Sequence, residues 1–80
     1  MNDKQKEYIQ HFKKSAIHKG YQIYDEVLFS DIFSENIIAC TIVYNNEQRY
    51  CFVRPHKYQN SWYYIACHND IIEYHYIEML

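Results

Sequence analysis

The sequence contains one glycine and one proline in 80 residues. Disordered and low-complexity chains are enriched in these two residues, so their scarcity predicts a single folded domain over residues 1–80. No run of 18 apolar residues is present, which argues against a membrane-spanning helix. The N-terminal segment MNDKQKEY also lacks the apolar core of a secretory signal. We therefore expect a cytoplasmic protein whose three cysteines remain thiols.

Sequence signals for catalysis and cofactor binding are equally scarce. A single glycine excludes a glycine-rich phosphate loop, and neither Cys-x-x-Cys nor His-x-x-x-His occurs. Nothing in the sequence resembles an activated thiol at the N-terminus of a helix. Two histidines, His68 and His75, are interpreted as strand-end or surface residues. We therefore expect no cofactor, no metal site and no enzymatic activity.

The three cysteines have a structural interpretation. If Asn45-Asn46 forms a two-residue turn, Cys40 and Cys51 lie opposite each other on paired strands. Cys67 is then expected one strand further on, in a row of sulfurs on one face of the sheet. Small buried thiols are ordinary core residues, and we interpret these cysteines in that way.

Charge is distributed unevenly, although the net charge is only −2. Residues 1–19 contain five lysines against two acids, a net charge of +3, whereas residues 20–80 contain three cations against eight acids, a net charge of −5. Phosphate binding needs clustered cations, so a nucleic-acid surface is not expected on the acidic part. The aromatic segment Arg49–Val53 resembles a strand of an RNA-recognition sheet, but the glycines of that motif are absent.

Hydrophobic periodicity predicts an N-terminal helix over residues 3–19, with one apolar stripe along it. Asn2 or Asp3 can accept its first free N–H groups, and Gly20 suits the left-handed position after its end. The helix is therefore expected to pack one side on the rest of the domain.

After this helix the sequence alternates between β-branched or aromatic segments and polar turns. Tight turns are predicted at Asn45-Asn46 and Asn69-Asp70, and a longer loop at residues 55–60. The predicted elements are a strand at 21–29, a short helix at 31–36 capped by Ser30, and strands at 36–44, 49–54, 61–68 and 71–79.

The order α-β-α-β-β-β-β predicts an α+β fold, in which a five-stranded antiparallel sheet packs against an N-terminal helix and a short second helix. Residues 36–44 are apolar on both of their alternating faces. Either helices cover both faces of the sheet, or one face binds a partner; we expect helices on both faces over most of the sheet.

The stretch YDEVLFSDIFSENI, residues 24–37, combines four carboxylates with bulky apolar residues, and no lysine or arginine occurs between Lys19 and Arg49. One interpretation is a solvated strand and helix with ordinary surface acids. The other is a recognition edge, in which carboxylates imitate DNA phosphates and an apolar hollow receives a side chain that normally wedges into a base stack.

The chain resembles the uracil-DNA glycosylase inhibitor family of certain phages of Gram-positive bacteria. The order of elements carries the resemblance, together with Glu26-Val27-Leu28-Phe29 in the first strand and the acids Asp31 and Glu35 in the short helix. Trp62 at the start of a strand and the terminal Met79-Leu80 also match the family pattern. The resemblance implies a phage protein that inhibits a host enzyme by DNA mimicry in the host cytoplasm.

The resemblance also implies a binding site. Glu26 is expected to contact the catalytic loops of the glycosylase, Asp31 and Glu35 to imitate phosphates, and an apolar pocket to receive the enzyme's base-displacing side chain. The implied partner is a host DNA-repair or DNA-processing protein, foremost uracil-DNA glycosylase, bound by a monomer without direct contact to nucleic acid or membrane. The expected partner-binding residues are Asp25, Glu26, Leu28, Phe29, Asp31, Ile32, Phe33, Glu35, Ile38 and Val53.

An alternative is a non-enzymatic protein-interaction module, such as an immunity-type protein or another anti-defence protein of a phage or mobile element, which acts through an aromatic sheet face. A self-associating domain of this kind is expected to bury Trp62 and Tyr64 in a dimer. A third class, a small metal-binding regulator, is expected to retain zinc on purification.

Overall fold

The computed structural model describes residues 2–30, 36–68 and 74–80, and it contains one helix followed by five strands. The strands form one antiparallel sheet in the order β1-β2-β3-β4-β5, so each strand pairs with its neighbour in the chain. The predicted α+β fold class is confirmed. The elements are α1 (Asp3–His18), β1 (Gln22–Ser30), β2 (Asn36–Tyr44), β3 (Glu47–Tyr58), β4 (Ser61–His68) and β5 (Tyr74–Glu78).

Helix α1 begins at a capping box. The Asn2 side chain accepts the Gln5 backbone N–H at 2.9 Å, and the Gln5 side chain accepts the Asn2 backbone N–H at 3.0 Å. The helix ends before Gly20, whose φ of 88° lies in the left-handed region that glycine adopts without strain. Both ends therefore follow from the local sequence, within one residue of the predicted bounds.

The first hairpin forms as predicted. Asn45 and Asn46 have φ values of 52° and 63°, the pattern of a type I′ turn, and Tyr44 pairs with Glu47 on either side of it. Because this turn sets the register, Cys40 pairs directly with Cys51.

The predicted loop at residues 55–60 is wrong. Strand β3 continues to Tyr58, and a two-residue turn at Gln59-Asn60, with φ values of 47° and 65°, leads into β4. Pro55 is tolerated because pairing of β3 with β2 ends at Val53. Beyond that point β4 is the one partner of β3 among the described residues, and a strand that lacks a partner on one side is where proline is tolerated.

Helix α1 covers one face of the sheet, and the hydrophobic core lies between them. Ile9, Phe12 and Ala16 of α1 pack against buried side chains from β2 to β5. The helix contacts both edge strands, β1 and β5, which indicates that the sheet curves around it. The strand residues of this core are Ile38, Cys40, Ile42, Cys51, Val53, Tyr64, Ala66 and Ile77.

The opposite face of the sheet is not covered by any described helix, so the expectation of helices on both faces is not met in the described part of the chain. The predicted second helix falls on residues 31–35, which lie outside the described residues, and Asn36 belongs to β2. The predicted turn at Asn69-Asp70 also lies outside them.

The row of three sulfurs on one face is wrong. Cys40 and Cys51 are free thiols buried in the core under α1, which agrees with their predicted structural role. Cys67 pairs with Phe52 and alternates with the buried Ala66, so it lies on the opposite face. The position of Cys67 in the alternation of β4 decides this.

Candidate partner-binding face

The first predicted site element, the acidic edge, lies on β1, which is an edge strand of the sheet. The register between β1 and β2 shifts between Tyr24 and Val27, where a bulge places both Asp25 and Glu26 opposite the single residue Cys40. Asp25 has a φ of 55°, a conformation that aspartate tolerates better than most residues, and its side chain is exposed. The bulge separates the two acids: Asp25 remains in solvent, whereas Glu26 bonds to the helix.

Glu26 is neutralised within the domain. Its Oε1 lies 2.7 Å from the Nζ of Lys13, and only 24% of the Glu26 side chain and 29% of the Lys13 side chain are exposed. The hydrogen bond from Lys13 lowers the pKa of Glu26 below its ordinary value, as does a backbone hydrogen bond. The sequence-based view that these acids have no nearby cation is therefore wrong for Glu26, because α1 brings Lys13 to it.

The structure describes only part of the predicted apolar pocket. Ile38 and Val53 are fully buried in the core under α1, and the half-buried Leu28 packs against that core. The backbone of Phe29 pairs with Ile37, but its side chain is outside the described part of the structure. The remaining predicted site residues, Asp31, Ile32, Phe33 and Glu35, lie outside the described residues, so the acids and apolar groups of that segment stay a prediction.

A second candidate site is the uncovered face of the sheet, which carries a dense group of aromatic side chains. Tyr50 and Tyr76 are 51% and 57% exposed, and Tyr24, Tyr58 and Tyr74 are exposed to a similar degree. An aromatic sheet face was considered from the sequence as an alternative, but Trp62 and Tyr64 were named for that face and not these tyrosines. We call this surface the aromatic face; its aromatic members are Tyr24, Tyr50, Phe52, Tyr58, Tyr63, Tyr74 and Tyr76.

The floor of the aromatic face is apolar. Ala39 and Ile65 alternate with core residues and therefore point away from α1, yet they are almost fully buried by their neighbours on this face. Tyr50 and Phe52 pack edge to face, with ring centroids 5.5 Å apart. The face is thus a packed apolar layer with ring edges and hydroxyl groups at its surface.

One end of the aromatic face forms a cleft of about 470 Å³, lined by His56, Tyr58, Tyr63 and Tyr76. The Tyr76 ring lies 6.4 Å from that of Tyr63 and 6.5 Å from that of His56, in edge-to-face orientations. Clefts of this size with convergent polar groups are common binding sites. The Tyr hydroxyl groups supply both hydrogen-bond donors and acceptors there.

Charge is sparse on the aromatic face. Among its described residues, Arg54 lies in the interior of the face, and Glu78, at the end of β5, lies 3.7 Å from Lys19 in an ion pair. The chemistry of the face is therefore that of tyrosine rings and hydroxyl groups around one guanidinium group.

Two residues proposed for a dimer interface do not lie on this face. Tyr64 is 1% exposed and packs against Phe12 in the core, where its hydroxyl group is hydrogen-bonded to His11. Burial raises the pKa of Tyr64 to about 12. Trp62 is exposed but alternates with Tyr64, so it lies on the helix side of the sheet.

A polar cluster lies inside the curved sheet at the end of β4. His68 is 7% exposed, which corrects its assignment as a surface residue, and neither of its ring nitrogens has a hydrogen-bond partner among the described residues. The ring of His75 lies 4.8 Å away, and the Tyr21 hydroxyl group is 3.4 Å from the Nδ1 of His75. These side chains border a cavity of about 40 Å³, enough for a few water molecules.

Within the described ranges, no three His, Cys, Asp or Glu side chains are arranged to hold a metal ion. The described part of the chain also contains no helix long and apolar enough to cross a membrane. Comparison of the chain with protein-family models, with curated proteins and with solved structures finds no match.

Proposed function

We propose that the protein is a non-enzymatic protein-binding module that acts through its aromatic face. The observation that carries the proposal is the exposure of five tyrosines, each about half exposed, on one uncovered side of the sheet. Contiguous aromatic surface of this kind is characteristic of interaction sites, because tyrosine supplies a large buried area with little loss of side-chain entropy.

Charge favours a protein over a nucleic acid as the partner. A single-stranded nucleic acid also stacks on aromatic rings, but it needs a track of cations for its phosphates. The described part of the aromatic face supplies Arg54 alone for that purpose. The uncharged remainder matches the aromatic, charge-poor centre of protein interfaces.

Two substitutions on the aromatic face test this proposal. Tyr50→Lys and Tyr76→Lys place a charge on the central strand β3 and in the cleft of the face, without removing a core side chain. Ile17→Lys is the matched control, because Ile17 is 63% exposed and lies on α1, on the opposite side of the domain. Affinity capture of partners from cell extract, with thermal unfolding of each variant, is the measurement.

We expect the wild-type protein and Ile17→Lys to capture the same partner, and both tyrosine variants to lose it while remaining folded. If both tyrosine variants retain the partner, the aromatic face is not the binding site.

The second candidate is the DNA-mimicking inhibitor of uracil-DNA glycosylase. The position of exposed Asp25 on a bulged edge strand favours it, because a carboxylate there is accessible to a partner that binds phosphates. The pairing of Glu26 with Lys13 and the burial of Ile38 and Val53 weigh against it. Glycosylase activity on a uracil-containing duplex, measured with a molar excess of the protein, tests it: unchanged activity excludes this target.

A further inference from the structure

We propose that the aromatic face binds a second copy of this chain, so that two sheets pack face to face around a twofold axis. This inference rests on the proposed function and names its partner. It follows from the size, the chemistry and the layer structure of the face.

The size of the aromatic face matches a stable interface. Five strands of 5 to 12 residues, about nine on average, form a surface of roughly 700 Å² in projection at the usual strand spacing and rise. Its accessible area is larger, because tyrosine side chains project from it. Stable interfaces bury about 800 Å² per partner, and about 500 Å² is near the lower limit. One copy of the face can therefore provide the area that a dimer needs.

The chemistry of the aromatic face is complementary to itself. In a twofold interface the same surface of each copy faces its counterpart on the other copy. That surface therefore has to contain both partners of every interaction. Tyrosine meets this condition, because its ring packs on another ring and its hydroxyl group both donates and accepts hydrogen bonds. Arg54, in the interior of the face, can stack on a tyrosine ring of the other copy.

The low charge of the aromatic face favours a second copy of the chain over a strongly charged protein as the partner. A face with Arg54 in its interior, and with Glu78 already paired to Lys19, brings little like charge together when it meets itself. A strongly acidic or basic partner would bury charges that the described residues of this face cannot pair. A second copy of the chain presents such a charge-poor, tyrosine-rich surface.

Burial of a second apolar layer is the driving force for the proposed dimer. Helix α1 buries one face of the sheet, whereas no helix among the described residues covers the apolar floor at Ala39 and Ile65 on the other face. An 80-residue chain buries only about 60% of its unfolded surface, less than a larger domain does, so a second buried apolar layer is a large addition. Two copies would produce four layers: helix, sheet, sheet and helix.

Light scattering coupled to size-exclusion chromatography tests the inference on the whole chain from low micromolar to millimolar concentration. We expect twice the chain mass of 9.9 kDa for the wild-type protein and for Ile17→Lys. Tyr76→Lys should raise the dimer dissociation constant by about 30-fold or more, because interface tyrosines are frequent hot spots. Tyr50→Lys provides an independent second variant if Tyr76→Lys fails to fold.

Two results would overturn the inference: a monomeric wild-type protein over the whole concentration range, or a dimer that dissociates in Ile17→Lys but not in the tyrosine variants. The proposed function has a separate outcome. If the wild-type protein is monomeric and the tyrosine variants still lose a captured partner, the face binds a different protein. If those variants change neither mass nor capture, both proposals fail.

Discussion

The ion pair between Lys13 and Glu26 leads to a quantitative prediction about the role of the acidic edge. A structural role predicts that Glu26→Gln lowers the free energy of unfolding, because Lys13 loses its charged acceptor at 2.7 Å. Exposed ion pairs contribute about 0.2–1 kcal/mol, and hydrogen bonds to charged groups about 1.5–3 kcal/mol. With a quarter of each side chain exposed, about 1 kcal/mol is expected for this pair.

A double-mutant cycle with Lys13→Met, Glu26→Gln and the combined variant isolates the coupling energy. With a urea m-value of about 1 kcal/mol/M for so small a domain, Glu26→Gln should lower the unfolding midpoint by about 1 M. The total stability expected for 80 residues is about 4–12 kcal/mol, so all four proteins remain folded in water.

The pH dependence of this difference provides a second readout. Because folding lowers the pKa of Glu26, its contribution is fully present above the unfolded-state value, near 4.5. The contribution is lost as the pH falls through the folded-state pKa, so wild-type and Glu26→Gln stabilities should converge below about pH 4.5. A coupling energy of zero, or a stability difference that is the same at pH 7 and pH 3, would refute the structural role of this pair.

Two further predictions concern thiols and turns. The native protein should react with an aromatic disulfide reagent at Cys67 alone, and Cys67→Ser should abolish the reaction. The reason is that Cys40 and Cys51 are buried, and burial raises their pKa values to about 12 and about 11. Rapid labelling of two or more thiols in the folded protein would contradict this prediction. Gln59→Asn should raise the free energy of unfolding by about 0.5 kcal/mol, because asparagine tolerates the φ of 47° at this position better than glutamine does. Urea titration measures this difference. A lower stability of the variant would show that the turn is not strained.

The local sequence predicted much of the fold. Asn45-Asn46 predicted the first hairpin correctly because a two-residue turn with positive φ at both positions strongly prefers such residues. The extension of β3 through Pro55 was missed, because a proline inside a strand is acceptable only when one side lacks a partner. That condition depends on where β2 stops pairing, which is a property of the assembled sheet.

The candidate site was harder to predict, since it depends on which residues the fold brings together. The alternation in β2 showed two apolar faces, but it could not show that α1 covers the face of Ile38 and that no described helix covers the face of Ile37. The aromatic face was visible in the sequence as alternating aromatic residues, such as Tyr50 with Phe52 and Tyr74 with Tyr76. The exposure of the aromatic face could not be predicted from the sequence.

By itself, the sequence determined the order of the described helix and strands, the cap of α1, the first tight turn and the alternation that gives each strand two faces. These features depend on residues a few positions apart, whose backbone preferences act locally. Only the tertiary structure decided that Lys13 neutralises Glu26, that Cys67 turns away from the other thiols, and that the tyrosines of the aromatic face are about half exposed. Each of these outcomes depends on how the single described helix lies on a curved sheet, and contacts between distant segments set that arrangement.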